Sequence, residues 1–239
     1  MEAKKISIVI PTFNEEKYVE RLLVSLCNQT IPRKDYEIII VDGGSTDRTV
    51  EICRKYADKI IMQETPTVGG ARNDGVKHAE AEIIFTTDAD CIVTPDILEK
   101  IINDFNNHPE VVMIYGVVTP LENNLKYAFL LELNNVFVKI LYRLRIYMSV
   151  GSNIAFRKRF FNLVKGFPTV GAGDDYGFSF RMRRIGEVML DEKLRVYFSM
   201  RRYEKYGFAK SFYEWLYNVF SELSKRRIPP EKVYYRKNY

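Results

Sequence analysis

Apolar, β-prone runs at residues 6–10, 36–41 and 83–87 end in a proline or a carboxylate, and helix-periodic stretches separate them. This alternation constrains the fold more than any other feature of the chain. Between the first two runs, Val19, Leu22, Leu23 and Leu26 recur at i, i+3, i+4 and i+7, the spacing of a helix packed on a sheet. A helix beginning near Asn14, with Glu15 and Glu16 in its first turn, suits the helix dipole. The turn after Asp42 offers Ser45 or Thr46 as cap of a second helix. A short strand follows at 60–62, then a third helix opening at Val68-Gly69-Gly70-Ala71-Arg72-Asn73. Thr94-Pro95-Asp96 starts a fourth helix, with proline at its first position.

Strands alternating with helices predict an α/β fold: a doubly wound, largely parallel sheet flanked by helices, with a helical C-terminal extension. Right-handed crossovers would set the carboxyl ends of the strands on one edge, where such sheets bind ligands. Pro11 to Glu15, Asp42 to Thr46, and Asp88 to Asp90 are therefore expected to line one crevice. Pro11, lacking an amide hydrogen, is expected to end the first strand. Asp88 and Asp90, read as i and i+2 of the extended strand, would share a face and could converge on one cation.

The second half is less regular. A strand is expected at 111–118, and a dense apolar pattern at 127–147 is interrupted by Glu132, Lys139, Arg143 and Arg145. That reads as a surface or core helix instead of a bilayer span. A further apolar helix is expected at 208–223, before a basic tail at 224–239. Residues 1–223 read as a single domain, with 1–118 its nucleotide-binding half and 119–223 its acceptor half.

With 36 Lys and Arg against 31 Asp and Glu, the formal charge of +5 suggests anionic partners, though only mildly. Cys27, Cys53 and Cys91 stand far apart without paired spacing, so neither a zinc site nor a disulfide framework is indicated. The first residues lead directly into a strand without the apolar core of a signal peptide, so a reducing, cytoplasmic setting is expected.

Ile8-Val9-Ile10-Pro11-Thr12-Phe13-Asn14-Glu15, Val41-Asp42-Gly43-Gly44-Ser45-Thr46-Asp47, Gly70-Ala71-Arg72-Asn73 and Asp88-Ala89-Asp90 resemble, in order, the successive blocks of glycosyltransferase family 2. That resemblance implies a GT-A fold and transfer of a sugar from a UDP- or GDP-linked donor with inversion. It also implies that Pro11, Thr12, Asn14, Glu15 and Asp42 hold base and ribose and that Gly70 and Arg72 lie near the diphosphate. Asp88, Ala89 and Asp90 would contact ribose and metal, with Asp90 and Asp88 binding Mn²⁺ or Mg²⁺. Gly173-Asp174-Asp175-Tyr176 resembles the family's acidic pair, in which the second acid, here Asp175, serves as base and Asp174 orients. Val150-Gly151-Ser152-Asn153 matches a segment between donor sugar and acceptor, giving Gly151, Ser152 and Asn153 as acceptor contacts. Ser199-Met200-Arg201-Arg202 resembles a basic loop over the diphosphate. Some relatives have a metal-binding His near there; this chain's only histidines are His78 and His108.

Physical chemistry supports the same roles. A nucleoside diphosphate gains negative charge as it leaves, and hard oxygen ligands suit the cation that stabilises it. An inverting transfer also needs a base for the acceptor hydroxyl. Two other readings compete: a sugar nucleotidyltransferase, which would carry a Gly-rich, Arg- and Lys-bearing loop where Pro11 to Glu15 stands, and a non-enzymatic nucleotide-binding module using Asp42 as a switch. The apolar segment at 127–147, the aromatic helix around Trp215 and the basic tail suggest a lipid-linked or membrane-proximal acceptor and peripheral contact with the inner face of a cell membrane. No nucleic-acid partner is expected.

Overall fold

Successive residues of the first strand enter two different cores. Ile6, Ile8 and Ile10 of β1 (Ile6–Thr12) are buried with the leucines of α1 (Val19–Cys27), while Val9 is buried on the opposite face. β2 (Tyr36–Asp42) divides in the same way, Ile38 and Ile40 joining the first core and Ile39 and Val41 the second. This period-two division is what a strand covered on both faces requires.

The computed structural model describes residues 3–171 and 173–207. The chain continues through α2 (Thr49–Cys53), β3 (Lys59–Met62), α3 (Val68–His78), β4 (Ile83–Thr86), β5 (Cys91–Val93) and α4 (Ile97–Asn107). Then come β6 (Val111–Pro120), α5 (Leu125–Arg143), β7 (Ile154–Arg157), α6 (Lys158–Phe161), α7 (Asp174–Met182), β8 (Glu187–Phe198) and α8 (Arg201–Tyr206). The helix expected at 208–223 and the tail at 224–239 lie outside the described residues.

Among the described residues the strands form one eight-stranded sheet in the order β3-β2-β1-β4-β7-β6-β8-β5. The first four run parallel, β7 runs antiparallel to both β4 and β6, β8 is parallel to β6, and β5 is antiparallel to β8. α1 and α4 cover one face; α3, α5 and α7 contribute to the core on the other. Phe156, Phe167 and Phe178 fill that second core, with the Phe167 and Phe178 rings stacked at 4.0 Å.

Several local expectations are corrected. Pro11 lies within β1, opposite Val41. Val9 faces β4, since its carbonyl accepts from Thr87 N–H, so Pro11 faces the same side where β4 has already ended. No ladder bond is lost there. α1 begins at Val19, because Asn14 adopts φ +55° and the Glu15 carbonyl accepts the first turn's N–H groups from Tyr18 and Val19. Neither Ser45 nor Thr46 caps α2. Ser45 is bonded to Asp42, and Asp47 accepts from Thr49 at the start of the helix.

β8 escaped the sequence reading. Its register to β6 jumps from Leu190 to Arg195, so Asp191, Glu192 and Lys193 sit in an irregular segment whose charges masked the strand. α5 runs two residues earlier than expected at its start, where Asn124 accepts from Lys126 N–H, and Arg145 at φ +61° follows its end.

Candidate active site

The loops after β1 and β2 are stitched together. Asp42 is buried and accepts from the N–H groups of Gly44 (2.9 Å) and Ser45 (2.8 Å) and from the hydroxyls of Ser45 and Thr12. Asn14 donates its N–H to Ser45 Oγ, and its side-chain carbonyl accepts from Thr46 N–H at 2.8 Å. Thr49 Oγ1 accepts from Glu15 N–H at 2.7 Å, and Asp47 from Glu16 N–H at 3.1 Å. Asp47 and Thr49 had no assigned role in the sequence reading; Asp47 closes the Val41–Asp47 block and Thr49 stands four residues past Ser45. An open cleft of about 710 Å³ lies on these loops, lined by Asn14, Lys17, Tyr18, Thr46, Asp47 and Arg201 among others.

Asp88 and Asp90 do not extend β4. The strand stops at Thr86, and Cys91 N–H donates to the Asp88 carbonyl, closing a turn that holds both acids. Each carboxylate meets a different guanidinium: Asp88 takes Arg72 at 2.8 Å, and Asp90 takes Arg201 at 2.9 Å. Arg201 also reaches Glu15 at 2.6 Å and lies 4.3 Å over the Tyr18 ring. Burial pushes Glu15 up to about 7 against the pull of Arg201. It pushes Asp90 up to about 6, with Arg201 opposing and the neighbouring Asp88 adding to the rise. Glu15 Oε2 is buried without a hydrogen-bond partner among the described residues.

Arg72 joins this turn to the second half of the chain. It is 2% exposed, and while one terminal nitrogen serves Asp88 the other serves Asp174 at the start of α7. The Arg72 guanidinium is thus set between two carboxylates, and among the described residues only its Nε has no hydrogen-bond partner. Asp175 is held by backbone: Gly151 N–H donates to Oδ2 at 3.0 Å and Tyr176 N–H to Oδ1 at 2.9 Å. Burial raises both acids. Arg72 opposes that on Asp174, while Asp175, pressed by burial and by Asp174 beside it, rises to about 7. Asp174 thus carries the ion pair with Arg72, while Asp175 is held, among the described residues, by backbone N–H groups alone.

The other expected residues divide between cleft and scaffold. Gly151 lies against Arg72, where a Cβ would come within 2.4 Å of the guanidinium, and its carbonyl accepts from Thr86 Oγ1. Ser152 and Asn153 are buried, and the Asn153 amide donates to the Val117 and Leu194 carbonyls at 3.0 Å, bracing the step in the β6–β8 register. Gly70 donates to the capping Thr67 hydroxyl and abuts the Thr65 carbonyl, which a Cβ would approach to 2.3 Å. Ala89 is buried in the first core. Arg201 opens α8 and is not part of a loop; Arg202 follows it, its side chain outside the described part.

A divalent cation requires hard oxygen donors. Among the described residues no three His, Cys, Asp or Glu side chains form a group able to hold one. Asp88 and Asp90 thus offer a two-carboxylate set that a phosphate-bearing ligand would complete. Arg201 is shared between Glu15 and Asp90, and Glu15 Oε2 is still buried without a hydrogen-bond partner among the described residues. The residues fit such a cation.

The family model described as Glycosyl transferase family 2 matches residues 7–164. The chain belongs to glycosyltransferase family 2. Within that family it is 34% identical over 116 residues to the poly(ribitol-phosphate) β-N-acetylglucosaminyltransferase TarS of Staphylococcus aureus, covering 46% of this chain and 20% of TarS. It is 42% identical over 101 residues to the poly(ribitol-phosphate) β-glucosyltransferase of Bacillus spizizenii, covering 39% and 16%. The matches therefore span a fifth or less of these two relatives. In fold, the chain resembles TarS residues 1–349 in complex with UDP-GlcNAc, at TM-score 0.66 and 21% identity over 82% of this chain and 58% of that one. It also resembles the mannosyltransferase PcManGT of Pyrobaculum calidifontis in complex with GDP-Man and Mn²⁺, at TM-score 0.61 and 22% identity over 82% and 57%. The glycosyltransferase GT-A fold expected from the motifs is the fold observed.

Proposed function

We propose that this chain is an inverting, metal-dependent glycosyltransferase moving a hexose-type sugar from a nucleotide-diphosphate sugar to an acceptor hydroxyl. One observation carries the reading: Arg72 ties Asp88 at the end of β4 to Asp174 at the start of α7, and so sets Asp175 beside the acids of the nucleotide-binding half. Pro11, Thr12, Asn14, Glu15 and Asp42 bind base and ribose, and Arg201 and Arg202 bring positive charge toward the diphosphate. Asp90 and Asp88 would hold Mn²⁺ or Mg²⁺. When bound, the cation neutralises the charge developing on the departing diphosphate. Asp175, fixed by the Gly151 and Tyr176 N–H groups, takes the proton of the acceptor hydroxyl. Asp174, held by Arg72, orients it.

Relatives in complex with UDP-GlcNAc and with GDP-Man leave both nucleotides as donor candidates. The acceptor is a sugar or a lipid-linked sugar presented at the cytoplasmic face of a membrane, against the Gly151 segment, with the buried Ser152 and Asn153 supporting that wall from behind. The test is a screen of UDP- and GDP-sugars for protection against thermal unfolding, with and without Mn²⁺, since a ligand selective for the folded state raises its apparent stability. Mass-spectrometric detection of a glycosylated acceptor follows for any donor that protects. A chain that no nucleotide sugar stabilises in the presence of Mn²⁺ would end this reading.

A further inference from the structure

α5 is apolar on two opposite sides. Its inner side buries Leu131 and Val138 and is pinned by Asn135, whose amide donates to the Val118 carbonyl at 2.8 Å and accepts from Val118 N–H at 3.3 Å. That reciprocal pair fixes the rotation of the helix about its axis. The outer side then necessarily presents Leu125, Phe129, Leu133, Val136, Ile140 and Leu144, each between 43% and 88% exposed. Their steps of four, four, three, four and four draw a straight stripe about 28 Å long at the α-helical rise. Large exposed apolar patches mark interaction surfaces.

We propose that this stripe is a docking surface for an anionic lipid bilayer. Its charges select that occupant. Lys126 is exposed at one end and Arg143 and Arg145 at the other, and Glu132 is the sole acid from 125 to 145. An apolar face with cations at its margins is the arrangement of a helix lying in an anionic interface. A second copy of the chain fits poorly, because two-fold antiparallel pairing of α5 would set Lys126 against Arg143 and Arg145. No helix among the described residues is long and apolar enough to cross a membrane.

Docking has a consequence for the cleft, and this part rests on the transferase reading. The chain leaves α5 at Arg143 and within eight residues reaches Ser149 and Gly151, which bond the Asp175 carbonyl and carboxylate. A bilayer under α5 therefore lies next to the wall assigned to the acceptor, which suits an acceptor carried on a lipid.

Co-sedimentation of the full chain with vesicles of phosphatidylglycerol mixed equally with phosphatidylcholine tests the surface. The parent is expected to partition onto these vesicles and to do so about tenfold less onto pure phosphatidylcholine. Phe129→Ser/Leu133→Ser/Ile140→Ser is expected to lower partitioning about tenfold or more with an unchanged melting temperature, the three side chains being exposed. Lys126→Gln/Arg143→Gln/Arg145→Gln is expected to erase the preference for the anionic lipid. Undiminished binding by both variants overturns the proposal, as does a parent that ignores vesicles. A parent dimer that the serine variant converts to monomer assigns the stripe to a second copy and overturns it too. Donor protection by nucleotide sugars involves none of these residues, so the two readings fail independently.

Discussion

Gly151 donates its backbone N–H to Asp175 Oδ2 at 3.0 Å and leaves no room for a side chain, since a Cβ would come within 2.4 Å of Arg72 Nη2. One glycine thus positions the proposed base and admits the guanidinium that joins Asp88 to Asp174. Gly151→Ala should shift this junction by several tenths of an ångström or more. Transfer is expected to fall about 10²-fold, as small misplacements of reacting groups do, and steady-state kinetics on the intact acceptor will read it. A variant with parental kcat would separate Gly151 from the chemistry.

Asp175→Asn should keep donor protection in thermal unfolding and lose transfer by about 10²- to 10⁴-fold, the contribution of a positioned base. The parental rate should climb as pH passes about 7, where Asp175 loses its proton. The same group acts on stability with a definite sign. Its folded value lies above its ordinary value of 3.8, so the folded chain holds a proton that the unfolded chain has released, and its contribution to stability declines as pH rises from 3.8 through about 7. Asparagine escapes that decline. Asp175→Asn should therefore melt higher than the parent at about pH 8, and the gain should shrink toward about pH 4.

Arg72→Ala leaves Asp88 and Asp174 facing each other without their shared cation. Removing one partner of a buried ion pair costs about 3–5 kcal/mol, readable as a lowered urea midpoint. Adding Asp174→Asn in the same background should restore part of the loss, because the uncompensated charge goes with it. A double variant no more stable than Arg72→Ala would mean the arginine serves chiefly as packing.

Asp90→Ala should remove the Mn²⁺-dependent part of donor protection while leaving the folded chain intact. The measurement is the same thermal screen with and without metal. Mn²⁺ dependence that survives the substitution would take Asp90 out of the cation site.

Phe178 stacks on Phe167 at 4.0 Å and lies 4.8 Å from Phe156, on the helix whose first turn carries Asp174 and Asp175. Phe178→Ala should cost about 3–5 kcal/mol and lower the melting temperature without changing the pH dependence of any residual activity.

The parallel half of the sheet was legible because β1, β2 and β4 are dominated by β-branched apolar residues, and each is followed by a turn carrying candidate site residues. The alternation of strand and helix was enough to bring Thr12, Asp42 and Asp88 to one edge. What could not be read were contacts made by side chains far apart in the chain. Nothing in the spacing of Arg72 says that it meets Asp174, 102 residues away, or that Arg201 reaches back 186 residues to Glu15. Boundaries shifted wherever a side chain or a positive φ overrode local propensity, as Asn14 did ahead of α1. β8 stayed hidden because its irregular segment carries charge where a strand would carry alternation.

The reversed direction of β7 has a further consequence. Thr86 pairs with Ile154, so β7 starts at the edge where β4 ends, and β6 arrives at that same edge before the chain departs into α5. Everything from 121 to 153 is accordingly a single excursion that leaves and re-enters at one rim. Added length can therefore be taken up inside that excursion without interrupting a strand pairing, provided Asn135 and Asn153 keep their bonds to the β6 and β8 backbone.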